Sequence, residues 1–83
     1  MQEATIVALN RSRAVVVLRL ADRSFCLANF GAHARVFRFG DKFVGEFGQT
    51  GSVHLKRIAD GKACDVILDH LGLSESAAVA LAY

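Results

Sequence analysis

The chain has 83 residues, of which 53% are apolar and 22% are charged, with a formal net charge of +2 and a mean hydropathy of +0.34. This composition excludes a disordered chain and indicates one small domain, whose high apolar content favours a surface that contacts a partner or a second copy. No apolar run approaches the roughly 18 residues of a membrane span and the N-terminus lacks the basic head of a signal peptide, so we expect a cytoplasmic protein with no membrane partner.

Three segments rich in β-branched and aliphatic residues predict three strands, at residues 4–9, 14–20 and 25–30. The stretches between them, 10–12 and 21–24, contain Asn, Asp and Ser, whose side chains bond to neighbouring backbone groups in turns. Strands joined by such short turns form a meander. The next residues show no clear period, and we expect an irregular connection over 32–39 with at most a helical turn or a short strand.

Two further strands are predicted at residues 42–47 and 52–58, with a tight reversal at 48–51 between them. Gly45 lies inside the first of these strands, where glycine usually marks a bend, a bulge or a close backbone approach. In so short a chain, five strands with such a bend favour a sheet that closes into a barrel. We therefore predict a mainly β fold with a five-stranded small β-barrel over residues 1–59.

The C-terminal segment, residues 60–83, shows a different apolar period. Its apolar side chains follow the i, i+3, i+4 spacing of a helix, at Ala63, Val66, Ile67 and Leu71. Gly72 is placed to end that helix, and Ser74 to cap a second short helix that begins at Glu75. We therefore predict one or two C-terminal helices that pack on the barrel or on a partner.

The strand segments follow one another as ATIVALN, RSRAVVVL, FCLANF and the pair FGDKFVGEF and GQTGSVHLKRI. In this order and spacing they resemble a cold-shock-type oligonucleotide/oligosaccharide-binding (OB) fold, with the second and third segments at the positions of that family's two nucleic-acid motifs. The match covers residues 4–58. The resemblance implies a barrel that holds single-stranded nucleic acid on exposed aromatic rings, each of which contributes about 1–3 kcal/mol.

At the positions of those rings the chain carries Ala8, Val15, Val17, Leu27 and Asn29, and only Phe30 is aromatic. Aliphatic side chains have no π-face, so binding has to depend mainly on charge. We predict a small nucleic-acid-binding protein that contacts single-stranded RNA or DNA mainly through arginines, with Phe30 and His54 as exposed stacking residues. The candidate contact residues are Arg11, Arg13, Arg19, Phe30, Arg38, Lys42, His54 and Lys56.

The same substitutions support an alternative function. Val15, Val17 and Leu27 would make the outer face of the sheet apolar, while the residues between them fill the core. A sheet that is apolar on both faces needs a second cover, which is either the C-terminal helix or another chain. In the second case the chain is a protein–protein interaction or oligomerisation module, which binds either a protein partner or a second copy of itself as a homo-oligomer.

No group of residues predicts an active site, a metal site or a bound cofactor, so we do not expect an enzyme. The histidines, at positions 33, 54 and 70, do not have the spacing of metal ligands with Cys26 or Cys64. We expect both cysteines to be small buried apolar residues, and Asp65, Asp69 and His70 to lie on a solvated surface. Of the four phenylalanines between residues 37 and 47, we expect three in the core.

Overall fold

The computed structural model describes residues 2–83, apart from the side chain of Arg35. The elements in chain order are β1 (Gln2–Asn10), β2 (Val15–Leu20), β3 (Phe25–Asn29), a short 3-10 helix (Gly31–Arg35), β4 (Lys42–Gly45), β5 (Gly51–Arg57), β6 (Ala63–Leu73) and α1 (Glu75–Ala82). The prediction of a mainly β fold with a small barrel and a short C-terminal helix is confirmed, with six strands in place of five.

The six strands form a closed antiparallel barrel in the order β1-β2-β3-β6-β5-β4. The chain builds two consecutive three-stranded meanders, β1 to β3 and β4 to β6. The meanders join at two seams, where β1 pairs with β4 and β3 pairs with β6. In general shape this small closed barrel is consistent with an OB-like barrel.

The first predicted C-terminal helix is wrong, because the segment that contains it forms strand β6. Cys64, Val66 and Leu68 point into the core and the residues between them are exposed, which is the period of two expected of a strand. This alternation is present in the sequence together with the helical spacing, and periodicity alone does not separate the two in a short apolar run. The strand also extends the barrel beyond the predicted residues 1–59, since β3 and β5 meet only through β6.

The core contains a cluster of three aromatic rings. Phe30, Phe37 and Phe43 pack edge to face, with ring centroids 4.9 to 5.7 Å apart. Phe47 is also buried, whereas Phe39 is 73% exposed. Three of the four phenylalanines between residues 37 and 47 are therefore in the core, as predicted.

Gly45 lies at the close backbone approach that its position in a strand predicts. A Cβ atom at this residue would lie 2.5 Å from Leu55 Cδ2 and 3.1 Å from the carbonyl oxygen of His54. Both atoms belong to β5, the strand that follows β4 in the chain. Only a residue without a side chain lets β4 lie this close to the core residue Leu55.

We expect Gly45→Ala to destabilise the protein by about 1–3 kcal/mol, because the added methyl group overpacks the contact with Leu55. The measurement is the free energy of unfolding in urea. Gly48→Ala is the matched control, since a Cβ at Gly48 meets no atom within 4 Å. Equal losses in the two variants would contradict the steric argument.

Arg57, on β5, contacts both the connection before β4, which contains Phe37 and Asp41, and the β5–β6 turn, which contains Asp60. Its Nη2 lies 2.7 Å from Asp60 Oδ2, and its Nη1 lies 3.3 Å from Asp41 Oδ2. Its guanidinium carbon also lies 5.1 Å from the centroid of the Phe37 ring. Hydrogen bonds from Arg57 and from the backbone of Lys62 lower the pKa of Asp60 from its ordinary value of 3.8 to about 2.

We expect Asp60→Asn to be less stable than the parent at neutral pH, and this difference to disappear in acid. The pKa of Asp60 is lower in the folded state, so its stabilising contribution is full above about pH 5. It is lost as the pH falls through 3.8 towards about 2. The measurement is the urea midpoint of both proteins between pH 7 and pH 2.

Asp69→Asn is the control for this comparison, because no hydrogen bond or ion pair of the Asp69 carboxylate occurs within the described part of the chain. A difference between parent and Asp60→Asn that stays constant over the whole pH range would refute the proposed role of the carboxylate charge.

Candidate nucleic-acid interface

A shallow groove crosses the outer surface of β2, β1 and β4. The strand register creates it, because Arg19 lies opposite Thr5 on one side of β1 and Lys42 lies opposite Thr5 on the other. The groove has a volume of about 820 Å³, within the range of about 300–1,000 Å³ that is typical of ligand clefts. The residues that line it are Glu3, Thr5, Arg19, Leu20, Ala21, Arg23, Phe25 and Lys42.

The groove is positively charged. Its lining has three cationic side chains, those of Arg19, Arg23 and Lys42, and one carboxylate, that of Glu3. Glu3 Oε1 lies 3.8 Å from Lys42 Nζ with both side chains more than half exposed, so this ion pair is weak. Within the described residues, no carboxylate pairs with Arg19 or Arg23. Two guanidinium groups are thus left to attract an anionic ligand.

The groove includes three residues that sequence reasoning missed: Thr5, Arg23 and Phe25. Thr5 supplies a half-buried hydroxyl between two cations, and Phe25 supplies a partly exposed aromatic side chain beside Arg19. Arg23 lies in the turn between β2 and β3, so the same hairpin that holds Arg19 also positions it. The sequence signal that could have identified Arg23 is its place in the predicted turn at residues 21–24, directly after the strand that contains Arg19.

A second basic region, the turn-end cluster of Arg11, Arg13 and Arg38, lies at another part of the barrel surface. Arg11 Nη2 donates a hydrogen bond to the carbonyl of Phe37 at 3.3 Å, which joins the β1–β2 turn to the connection that contains Arg38. All three arginines are exposed, and so is the adjacent Phe39. The structure therefore brings the turn that carries Arg11 and Arg13 against the connection that carries Arg38, and none of the three lines the groove.

A stretch of backbone beside β1 links the groove to the turn-end cluster. Gly40 N–H donates to the carbonyl of Ile6, and Ile6 N–H donates to the carbonyl of Asp41, each at 2.9 Å. These bonds continue the pairing that places Lys42 beside Thr5. The backbone from Lys42 to Arg38 consequently runs beside β1 and connects the two basic regions.

His54 and Lys56 lie on β5, outside the groove. His54 Nδ1 is 2.7 Å from Asp65 Oδ1, and Glu46 lines the same surface depression as His54. Carboxylates beside the imidazole make this surface unfavourable for a phosphate. The structure thus separates the two β5 residues from the predicted arginine contacts.

The expectation that Phe30 is an exposed stacking residue is wrong. Phe30 is 1% exposed and its ring packs against Phe37 and Phe43. The segment leaves β3 immediately before Phe30, and Phe30 N–H donates to the carbonyl of Ala14, which turns the residue into the core. A base cannot reach this ring in the folded protein.

The aliphatic face predicted as a partner interface is covered by the chain's own helix. Val15, Val17 and Leu27 are buried against α1, which contributes Ala78 and Ala82 to the contact. This helix is the second of the two predicted ones. The sequence allowed either the C-terminal helix or another chain to cover this face, and the structure shows the C-terminal helix.

Both ends of α1 are fixed. At its start, Ser74 Oγ accepts a hydrogen bond from Ala77 N–H at 3.2 Å and caps the helix. At its end, Asn10 Nδ2 donates to the carbonyl of Ala82 at 2.7 Å, and the Tyr83 hydroxyl donates to the carbonyl of Leu9. These contacts hold the helix across the ends of β1 to β3.

We expect Ala78→Asp to destabilise the protein by about 3 kcal/mol, because it buries an unpaired carboxylate between α1 and the sheet. Detachment of α1 would also expose the aliphatic face, so the variant should bind a hydrophobic dye in dilute urea. Ala80→Asp, on the exposed side of the same helix, is the control. If the two variants unfold at the same urea concentration, α1 does not cover the sheet as described.

The cysteines have the character that the sequence predicts. Cys26 and Cys64 are both buried and free. Burial raises the pKa of the Cys26 thiol to about 12, and it also raises the pKa of Cys64. A thiol with a raised pKa is a poor nucleophile at neutral pH.

No three His, Cys, Asp or Glu side chains among the described residues lie close enough together to hold a metal ion. In the same part of the chain, no helix has the length and apolar character needed to cross a membrane.

No protein-family model matches this chain, and comparison with curated proteins and with solved structures finds no match. The fold and its groove define the class: a small closed antiparallel β-barrel with a basic groove on its outer surface. The groove is the feature of this barrel from which a function can be inferred.

Proposed function

We propose that this protein binds single-stranded nucleic acid through its phosphate groups, with the groove across β2, β1 and β4 as the primary contact. The observation that carries the proposal is that Arg19, Arg23 and Lys42 line one groove together with Thr5, and that Glu3 is the one carboxylate among the described residues of its lining. Guanidinium and hydroxyl groups are common donors to phosphate oxygens. A polyanion gains most from such a site, because each contacted phosphate releases bound counterions.

The composition of the site favours a single strand over a duplex. The helix α1 lies flat on the sheet and its sequence, ESAAVALA, carries no side chain that reads base edges in a major groove. Small OB-like barrels, which this barrel resembles in general shape, bind single strands on the outer face of strands 2 and 3. In this chain α1 covers the aliphatic part of that face, so the strand has to lie in the groove beside it. Phe25 is the one aromatic residue of the groove lining, so base stacking is limited and binding tolerates different sequences.

The turn-end cluster extends the path of the strand. From the groove, the backbone beside β1 leads from Lys42 to Arg38, and Arg11 bonds to the carbonyl of Phe37 in the same connection, beside the exposed ring of Phe39. A strand that follows this route contacts both regions on one side of the barrel. OB-like domains bind about 4–16 nucleotides, and a 12-nucleotide strand is therefore a suitable probe.

We expect Arg19→Gln to weaken the binding of 12-nucleotide oligo(U) and oligo(dT) by about tenfold, since it removes one charge-assisted phosphate contact. The measurement is fluorescence anisotropy between 50 and 200 mM salt. For the parent protein the logarithm of the affinity should fall steeply with the logarithm of the salt concentration. In Arg19→Gln this slope should decrease by about 0.7, the value for one phosphate contact to a single strand.

Two further variants make this test specific to the groove. Glu3→Gln should raise the affinity, because it removes the carboxylate that lies 3.8 Å from Lys42. Lys62→Gln, which removes a positive charge at an exposed position outside the groove, should leave the affinity within about twofold. No binding at 50 mM salt would refute the proposal, as would equal losses in Arg19→Gln and Lys62→Gln. Equally tight binding of polyglutamate would indicate an acidic polypeptide as the ligand instead.

A further inference from the structure

Arg23 has a backbone conformation that residues with a side chain rarely adopt. Its φ is +71°, in the left-handed region, and Ala14 at +59° is the one other residue apart from glycines with a positive φ in the described chain. The left-handed conformation brings Cβ close to the following carbonyl oxygen, and glycine avoids this contact. Each of the two residues lies in a turn of the first meander.

The turn around Arg23 holds this conformation through hydrogen bonds that do not involve the arginine side chain. Leu20 N–H donates to the carbonyl of Ser24 at 2.9 Å, and Arg23 N–H donates to the carbonyl of Leu20 at 3.0 Å. Asp22 Oδ1 accepts from the N–H of Ser24 at 3.0 Å and from its hydroxyl at 2.6 Å. A glycine at position 23 would keep every one of these bonds and relieve the strain.

The side chains of the two left-handed residues differ in what they contribute to the fold. Ala14 packs against the main core, so its methyl group has a structural role. Arg23 is exposed on the wall of the groove and forms no ion pair within the described residues. Within the described residues the Arg23 guanidinium therefore gives the fold no hydrogen bond and no ion pair, although the fold bears the strain of a side chain at this position.

We propose that Arg23 contacts a phosphate group of the strand bound in the groove, and that position 23 carries arginine rather than glycine for this contact. The inference rests on the proposed function and adds to it a ligand-binding residue supplied by the β2–β3 turn. Strained residues cluster at ligand-binding positions when the surrounding structure holds them in place. Here the turn holds the backbone and directs a cation to the same groove as Arg19.

Arg23→Gly tests this inference, because it should change stability and binding in opposite directions. Relief of the left-handed strain should raise the melting temperature by about 2–5 °C. Loss of the guanidinium should weaken the binding of 12-nucleotide oligo(dT) at 50 mM salt by about tenfold and reduce the salt slope by about 0.7. Arg23→Lys keeps the charge and the strain, so it should retain the parent's melting temperature and bind within about threefold of it.

Lys62→Gln is the charge control, since it removes a cation outside both basic regions and should leave the affinity within about twofold. If Arg23→Gly binds as tightly as the parent while Arg19→Gln is weakened, the role of Arg23 is refuted and the proposed function stands. A fall in the melting temperature of Arg23→Gly would also refute it, because the arginine would then be stabilising the fold. If the parent itself fails to bind, the proposed function and this inference both fail.

Discussion

The structure depends on the pairing of β6 with two strands that do not meet each other. Without β6, strands β3 and β5 would each present a row of unpaired N–H and C=O groups. Leu68 of β6 lies opposite Ala28 of β3 and opposite Gly51 of β5, so this residue is paired on both sides. The same strand buries Cys64, Val66 and Leu68. Backbone pairing and apolar burial therefore act together, and they outweigh the helical spacing of this segment.

The position of β6 also decides which part of the outer surface stays open. Leu73, the last residue of β6, pairs with Phe25 of β3, and α1 begins two residues later. The helix is thus delivered to the outer face of β1 to β3, where it covers Val15, Val17 and Leu27. The basic groove includes a part of β1 and β2 that α1 leaves uncovered, and Phe25 contacts both the groove and the cluster under α1. The path of the chain from β6 into α1 therefore covers the aliphatic part of the sheet and leaves the cationic part exposed.

The groove collects cations from segments that are distant in the sequence. Arg19 comes from β2, Arg23 from the following turn and Lys42 from β4, and they converge because β1 lies between β2 and β4. The sequence identified Arg19 and Lys42 as candidates by charge alone. It grouped them with His54, whose neighbour across the sheet is Asp65. The sequence shows which residues are cationic, whereas the strand register determines which of them lie side by side.

The sequence by itself determined the first five strands, the glycine at the tight approach of β4 to β5 and three of the core phenylalanines. These features follow from alternation, turn residues and side-chain size, which are local properties. Only the tertiary structure decided that residues 63–73 are extended, that Phe30 is buried and that α1 covers the aliphatic face. It also assembled the groove around Thr5. Each of these outcomes depends on which distant strands pair and in what register, and no local pattern encodes that choice.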